Sequence, residues 1–332
     1  MDRIIIKGGT PLYGEIPISG AKNACLALMP AALLTDEIVT LDNVPLLSDI
    51  QTMKELLLSL GCEVSSSEND RQLVLSASKI SNFMAEYDIV RKMRASILVL
   101  GPLLGRFNNA MVSLPGGCAI GTRPIDIHLK GLSKLGVNFE IQNGIVKASV
   151  NNRLIGSKID LSFPSVGATE NILMAASIAK GKTIIENAAM EPEISDLAIT
   201  LNKMGAKIKI EKKGVIKING VKSLTKASHK IMSDRIVAGT FIIAAVMLNK
   251  NFLVKEIESR HIEALTSILI KMGAKLKINK NSIQIMPSKR LNGIKIYTAP
   301  YPGFPTDLQA QIMSLMSLAN SNSQIKENIF EN

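Results

Sequence analysis

Residues 198–218 read AITLNKMGAKIKIEKKGVIKI. Apolar residues at helical spacing run into Met204 and Gly205. Lysine and isoleucine then alternate on either side of a Lys-Lys-Gly turn. Glycine after the last apolar turn is the expected stop of a helix, because it alone enters the left-handed region without strain. The alternation that follows has the period of a half-buried strand, so the stretch predicts helix, strand, turn, strand.

The same pattern returns in MKELLLSLGCEV (53–64), LKGLSKLGVNFEI (129–141) and ALTSILIKMGAKLKI (264–278). The four glycines are Gly61, Gly136, Gly205 and Gly273, separated by 75, 69 and 68 residues. QNG (142–144), KKG (212–214) and NKN (279–281) mark the hairpin turns. A second apolar helix precedes each copy, with five starts near SGAKNACLALMPAALL, DIVRKMRASILVLGPLL, FPSVGATENILMAASIA, MSDRIVAGTFIIAAVML and FPTDLQAQIMSLMSLA. The unit is therefore about 70 residues long with two helices and several strands, and is too small to bury its apolar face alone. Repeated α/β units packed around shared axes are expected, with the fifth ending before its Leu/Met-Gly helix. No GxGxxG follows a strand and no GxxxxGK[ST] occurs, so neither phosphate loop is present.

The chain has 332 residues, of which 46% are hydrophobic, enough for two domains. Its charge of +11 lies largely in the Lys/Ile strands, which reads as a wet sheet face. Aromatics are only 4% and no RNP-type or zinc-finger pattern occurs, so nucleic acid is not expected as a partner. The longest clean apolar run, 236–248, is too short for a membrane span of about 20 residues. Cys25, Cys62 and Cys118 are three in number without a CxxC, and the start MDRIIIKGG lacks a signal pattern. A cytoplasmic protein with no metal site is expected.

Several helix starts carry cations where the macrodipole favours anions. Lys22 and Asn23 open the first helix, Arg94 lies near the start of the second, and Arg235 opens the fourth. A lysine in a first turn is unfavourable by roughly 0.3–1 kcal/mol. Either it swings into water, or an anion sits at the exposed N–H groups. Arg94 and Arg235, taken singly, read as surface charges or partners of nearby acids. SLPGGCAIGTRPIDIHLKGL (113–132) places Cys118 on a glycine-rich loop with Arg123 nearby, a setting that favours an accessible, acidic thiol over a buried one. Asp307 suits a helix start, as a cap or as a catalytic group. His128, His229 and His261 are isolated and read as structural or surface residues.

Taken in order, SGAKNA, MRASI with LGPL, SLPGGCAIGTRPIDIH, SVGAT, IENAA with EPEI, SDRI with AGTF, and FPTDLQAQ resemble the enolpyruvyl transferase family. The glycine-rich cysteine loop resembles the branch whose acceptor is UDP-N-acetylglucosamine. That resemblance implies a two-domain inside-out α/β barrel of three units per domain. Residues 22–231 would form one domain, and 1–21 with 232–332 a second that lacks its last repeats. The substrates implied are phosphoenolpyruvate and UDP-N-acetylglucosamine, with no metal, redox cofactor or obligate protein partner. The implied reaction opens peptidoglycan synthesis, and hence cell-wall growth and division.

Residue by residue, the resemblance implies that Lys22 and Asn23 hold phosphoenolpyruvate. Arg94 and Arg123 would contact the sugar nucleotide, with Arg123 also near the phosphate. Pro124, Ile125, Asp126 and Ile127, then Phe163, Pro164, Ser165 and Val166, would line the uridine-diphosphate side. Asp307 would act as base at the sugar 3-hydroxyl, and Ile329 would touch the sugar. Cys118 would donate a proton, and would be the position that fosfomycin alkylates. Val237 and Met190 depart from the family pattern, which has an acidic and a basic residue there. The family continues for roughly another ninety residues, so an inactive truncated remnant is the alternative expectation.

Overall fold

The computed structural model describes residues 3–9, 13–67, 69, 71–114 and 125–329. It divides into two compact units, one formed by Ser19–Met232 and the other by the residues up to Ile18 with Ser233–Ile329.

In the first unit, three helices are buried almost all round: Lys22–Ala31, Leu100–Phe107 and Val166–Ser177. A helix apolar on every side cannot face water and becomes the core. Close approach is set by missing side chains. A Cβ at Gly101 would overlap the Asn171 carbonyl, one at Gly105 would meet Ile178, and one at Gly131 would run into the tip of Ile172. Three four-stranded sheets cover this helical centre. All share one pattern: an edge strand pairs parallel with the next, followed by an antiparallel hairpin. Ala227–Lys230 pairs with Ile38–Asp42, Met84–Ala85 with Asn109–Ser113, and Lys158–Asp160 with Lys182–Glu186. The sheets stay separate, so among the described residues no closed ring of strands forms. The helices lie inside and the strands outside.

The second unit repeats the pattern. Gly14–Pro17 pairs parallel with Phe252–Lys255, which joins the hairpin of Lys275–Asn279 and Ser282–Met286. Lys295–Tyr297 pairs parallel with Gln324–Lys326, the first two strands of a further sheet. Its helices are Arg235–Met247, Glu263–Met272 and Gln309–Met316, packed with Phe252, Val254, Ile283 and Ile285.

The repeat signals act as the sequence predicts. Gly61, Gly136, Gly205 and Gly273 have φ of 96°, 95°, 101° and 102°, the left-handed conformation that ends a helix. Asn143-Gly144 and Lys213-Gly214 also have positive φ, as two-residue hairpin turns require. Lys207, Lys209, Lys275 and Lys277 are exposed, while Ile216, Ile218, Ile283 and Ile285 on the partner strands are buried. The second of the five apolar helices departs from expectation. It breaks into a short helix at Tyr87–Val90, a 3-10 turn at Arg94–Val99 and the helix from Leu100.

Candidate active site

The candidate residues share one kind of place, the N-terminal starts of helices or of the 3-10 turns that lead into them. Lys22 is the first residue of its helix, after an extended Ala21 that makes no side-chain cap. Gly20 precedes it because its backbone passes so close to Asn43 that a Cβ would overlap the carbonyl there. Lys22 does not simply swing into water: its Nζ lies 3.2 Å from Asp49 Oδ2, on the first turn of Ser48–Ser59. Both side chains keep more than a third of their surface, so the pair is screened and weak. Asn23 beside it is exposed.

Arg94 opens the turn that leads into Leu100–Phe107. Asp126 opens Asp126–Ser133 and is bridged to Lys130 at 3.0 Å; Ile125 before it is buried and Ile127 half-buried. Ser165 caps Val166–Ser177 by accepting from the Ala168 N–H, with Pro164 and Val166 half-buried and Phe163 exposed. The first N–H groups at such an end have no carbonyl partner within the helix and carry a partial positive charge, which suits a phosphate.

His128 links these elements, a role the sequence reading did not give it. Asn171 Oδ1 accepts the Gly101 N–H, so its Nδ2 faces the Ile97 carbonyl and, at 2.9 Å, His128 Nδ1. An amide NH2 only donates, so Nδ1 accepts and the imidazole proton sits on Nε2. Burial, with the positive charge of Arg94 adding to it, lowers the His128 pKa to about 4. The ring is therefore neutral near pH 7, packed against Gly167 at the start of the capped helix.

His229 is also buried rather than on the surface. Its Nε2 donates to Asp196 Oδ1 at 2.9 Å, while Lys203 Nζ donates to Nδ1 at 3.1 Å. Asp196 Oδ2 also accepts the Met232 N–H. The motifs SVGAT and IENAA meet where Thr169 Oγ1 accepts the Ala189 N–H. Next to Thr169, Glu170 is fully buried, and burial together with Glu193 and Glu191 holds its carboxyl well above the usual carboxylate range.

In the second unit, Asp307 lies in the turn Thr306–Leu308 that leads into Gln309–Met316. Arg235, expected as a surface charge or as the partner of a nearby acid, is 8% exposed, with its guanidinium 5.9 Å from the centre of the Tyr301 ring. Arg235, His261, Tyr301, Pro305 and Leu308 line a narrow cavity beside the Asp307 turn. Ile329 is half-buried. Cys118, Arg123 and Pro124 lie outside the described residues. Cys25 and Cys62 are buried, and burial pushes their thiols up to about 12 and about 11.

Among the described residues no group of three or more His, Cys, Asp or Glu side chains could hold a metal ion. No helix there is long and apolar enough to cross a membrane.

Comparison with known proteins bears on the family and the fold. The family described as EPSP synthase (3-phosphoshikimate 1-carboxyvinyltransferase) matches residues 6–332. A UDP-N-acetylglucosamine 1-carboxyvinyltransferase of Dinoroseobacter shibae is 51% identical over the whole chain and 79% of its own length. One from Staphylococcus aureus is 46% identical, again over the whole chain and 79% of its own length. Among solved structures, the enolpyruvyl transferase NikO from Streptomyces tendae superposes with a TM-score of 0.86 at 21% identity. That match covers 96% of this chain and 76% of NikO. EPSP synthase from Acinetobacter baumannii gives 0.75 at 18% identity, covering 97% and 75%. Buried helices ringed by separate sheets are thus the enolpyruvyl transferase fold, and with half its residues shared with curated relatives the chain belongs to the enolpyruvyl transferase family, among the UDP-N-acetylglucosamine 1-carboxyvinyltransferases.

Proposed function

We propose that the protein transfers the enolpyruvyl group of phosphoenolpyruvate to the 3-hydroxyl of UDP-N-acetylglucosamine and releases phosphate. The observation that carries this reading is positional: Lys22, Arg94, Asp126, Ser165 and Asp307 all stand at the N-terminal starts of helices in a repeated unit. Two anionic substrates need several such ends, and a single phosphate loop would not serve both. Similarity over the whole chain to relatives that all carry the enzyme's name favours the transferase over an inactive remnant.

In this reading Lys22 and Asn23, with Arg123, hold the phosphate of phosphoenolpyruvate. Ile125 to Ile127 and Phe163 to Val166, with Arg94 and Pro124, hold the uridine diphosphate. Asp307 takes the proton of the 3-hydroxyl as the oxygen bonds to C2 of phosphoenolpyruvate, and Cys118 gives a proton to C3. The product of that addition is a tetrahedral ketal. Loss of a proton from C3 and of phosphate from C2 then leaves the enol ether. Cations on the phosphate stabilise the leaving group, and positioned acid and base lower both barriers. In this reading the reaction is the opening step of peptidoglycan synthesis and belongs to the cytoplasm, a reading with which the free thiols of Cys25 and Cys62 are compatible.

The test is phosphate release with both substrates present, compared among the wild-type chain, Lys22→Ala and Asp307→Asn. Release that requires both substrates and falls at least about 100-fold in each variant supports the reading. Variants as active as the wild type would overturn the assigned roles, and a wild-type chain without release would overturn the activity.

A further inference from the structure

The repeat makes four strand ends comparable. The N–H groups of Ile18, Leu161, Ile231 and Thr298 donate to the carbonyls of Lys255, Glu186, Asp42 and Lys326, each across a parallel pair. That register makes residues 256, 187, 43 and 327 equivalent, one step beyond each accepting carbonyl. Two of the four are asparagines that act as donors. Asn43 Nδ2 reaches the Ile231 carbonyl at 3.0 Å and Asn187 Nδ2 the Leu161 carbonyl at 2.7 Å, clipping the neighbouring strand. Glu256 is exposed.

Glu327 breaks the pattern. A carboxylate cannot donate, and this one gathers donors instead. Its Oε1 accepts from Thr298 Oγ1 at 2.9 Å and from the Ile329 N–H at 2.6 Å. Its Oε2 accepts from Thr306 Oγ1 at 3.0 Å. Thr298, 1% exposed, stands where the other units carry Ile18, Leu161 and Ile231, none with a hydroxyl. Thr298 Oγ1 in turn accepts the Asn328 N–H at 2.8 Å. The substitutions at 298 and 327 thus work together in one unit only. They join the C-terminal ends of two parallel strands to the first residue of the Asp307 turn, and to the segment carrying Ile329.

We propose that Glu327 is a positioning residue for the acceptor sugar: through Thr306 it fixes the turn that carries Asp307, and through the Ile329 N–H it fixes the segment that touches the sugar. This rests on the reading that Asp307 and Ile329 face the N-acetylglucosamine ring. In that reading the uridine diphosphate is held by Ile125 to Ile127 and Phe163 to Val166 and not by Asp307 or Ile329, so Glu327 should govern affinity for the sugar and not for the nucleotide.

The test is calorimetric titration of the full chain with UDP-N-acetylglucosamine and, separately, with UDP, in Glu327→Ala, Glu327→Gln, Thr306→Val and the Glu327→Ala/Thr306→Val double variant. Charged hydrogen bonds are at stake, so Glu327→Ala should weaken UDP-N-acetylglucosamine roughly tenfold and leave UDP within about twofold. Thr306→Val should behave similarly and the double variant lose little more, because the two act through one contact. Glu327→Gln should restore most of the affinity. Its Oε1 keeps the Thr298 and Ile329 bonds, and its amide can donate to the Thr306 hydroxyl. Unchanged affinity in Glu327→Ala, equal weakening of both ligands, or no rescue by glutamine would each overturn the proposal. A wild-type chain that binds neither ligand would overturn the functional reading, and this role with it.

Discussion

Asn171 Nδ2 donates to His128 Nδ1 across 2.9 Å of buried core, and so keeps a neutral imidazole at the start of the candidate uridine-diphosphate helix. Protonation would turn Nδ1 into a donor facing a donor. With a folded pKa of about 4, against about 6.5 for an unfolded histidine, the unfolded chain takes up the proton first as pH falls. Stability should therefore drop between about pH 6.5 and 4, by roughly 3 kcal/mol from this group, and be unaffected by it above pH 7. In urea unfolding at stepped pH, His128→Gln should lose less stability than the wild type over that window. Parallel pH curves would contradict the assignment.

Glu170 has the opposite linkage. Its carboxyl, buried near Glu193 and Glu191, stays protonated in the folded state at pH values where the unfolded chain has released the proton. Stability tied to this group is present at low pH and is lost as pH rises above the unfolded value of about 4.3. Glu170→Gln keeps the shape without a titrating carboxyl, so its melting temperature relative to the wild type should climb as pH rises above about 4.3 and level off once the folded carboxyl ionises. A constant difference would mean that Glu170 is ionised in the folded protein.

The three cysteines should separate by reactivity. Burial raises Cys25 to about 12 and Cys62 to about 11, which leaves almost no thiolate at neutral pH. Cys118, five positions before Arg123 in the glycine-rich sequence PGGCAIGTR, should carry nearly all the label after brief iodoacetamide or fosfomycin treatment, read by peptide mapping. Equal labelling of the three would contradict this.

Gly101→Ala should be among the costlier single-methyl changes in the molecule. The added Cβ overlaps the Asn171 carbonyl, so two buried helices must separate or the Asn171 network must shift. Overpacking of this kind costs about 1–3 kcal/mol, visible as a lower urea midpoint with an unchanged slope. Gly136→Ala, at a helix end with open space around it, tests backbone strain alone.

Some of this was legible in residue order and some was not. Gly61, Gly136, Gly205 and Gly273 announce themselves, because a helix stop and a hairpin are local events with local signatures. Lys22, Ser165 and Asp307 could be placed at helix starts for the same reason. What joins elements distant in sequence left little trace. Asn171 ties together residues 97, 101 and 128, and nothing around it in the chain points to them. Arg106 donates to the carbonyls of Leu33, Thr35 and Ala77, and Arg153 to those of Ile178 and Val221, so each cation joins segments far apart in the chain. One signal was available and missed: Gly101 and Gly105 stand four apart on an apolar helix, the spacing of a close helix contact.

The central claim, addition of the sugar hydroxyl to C2 with protonation at C3 followed by elimination, is tested most directly by running the reaction in D2O. The wild-type chain, phosphoenolpyruvate and UDP-N-acetylglucosamine are incubated together, and the sugar nucleotide is examined by mass spectrometry and proton NMR. The account expects an enolpyruvyl ether at the 3-oxygen, formed with an equal amount of phosphate, and deuterium on its terminal methylene carbon. Phosphate released without that ether, or an ether whose methylene carries no deuterium, would contradict it.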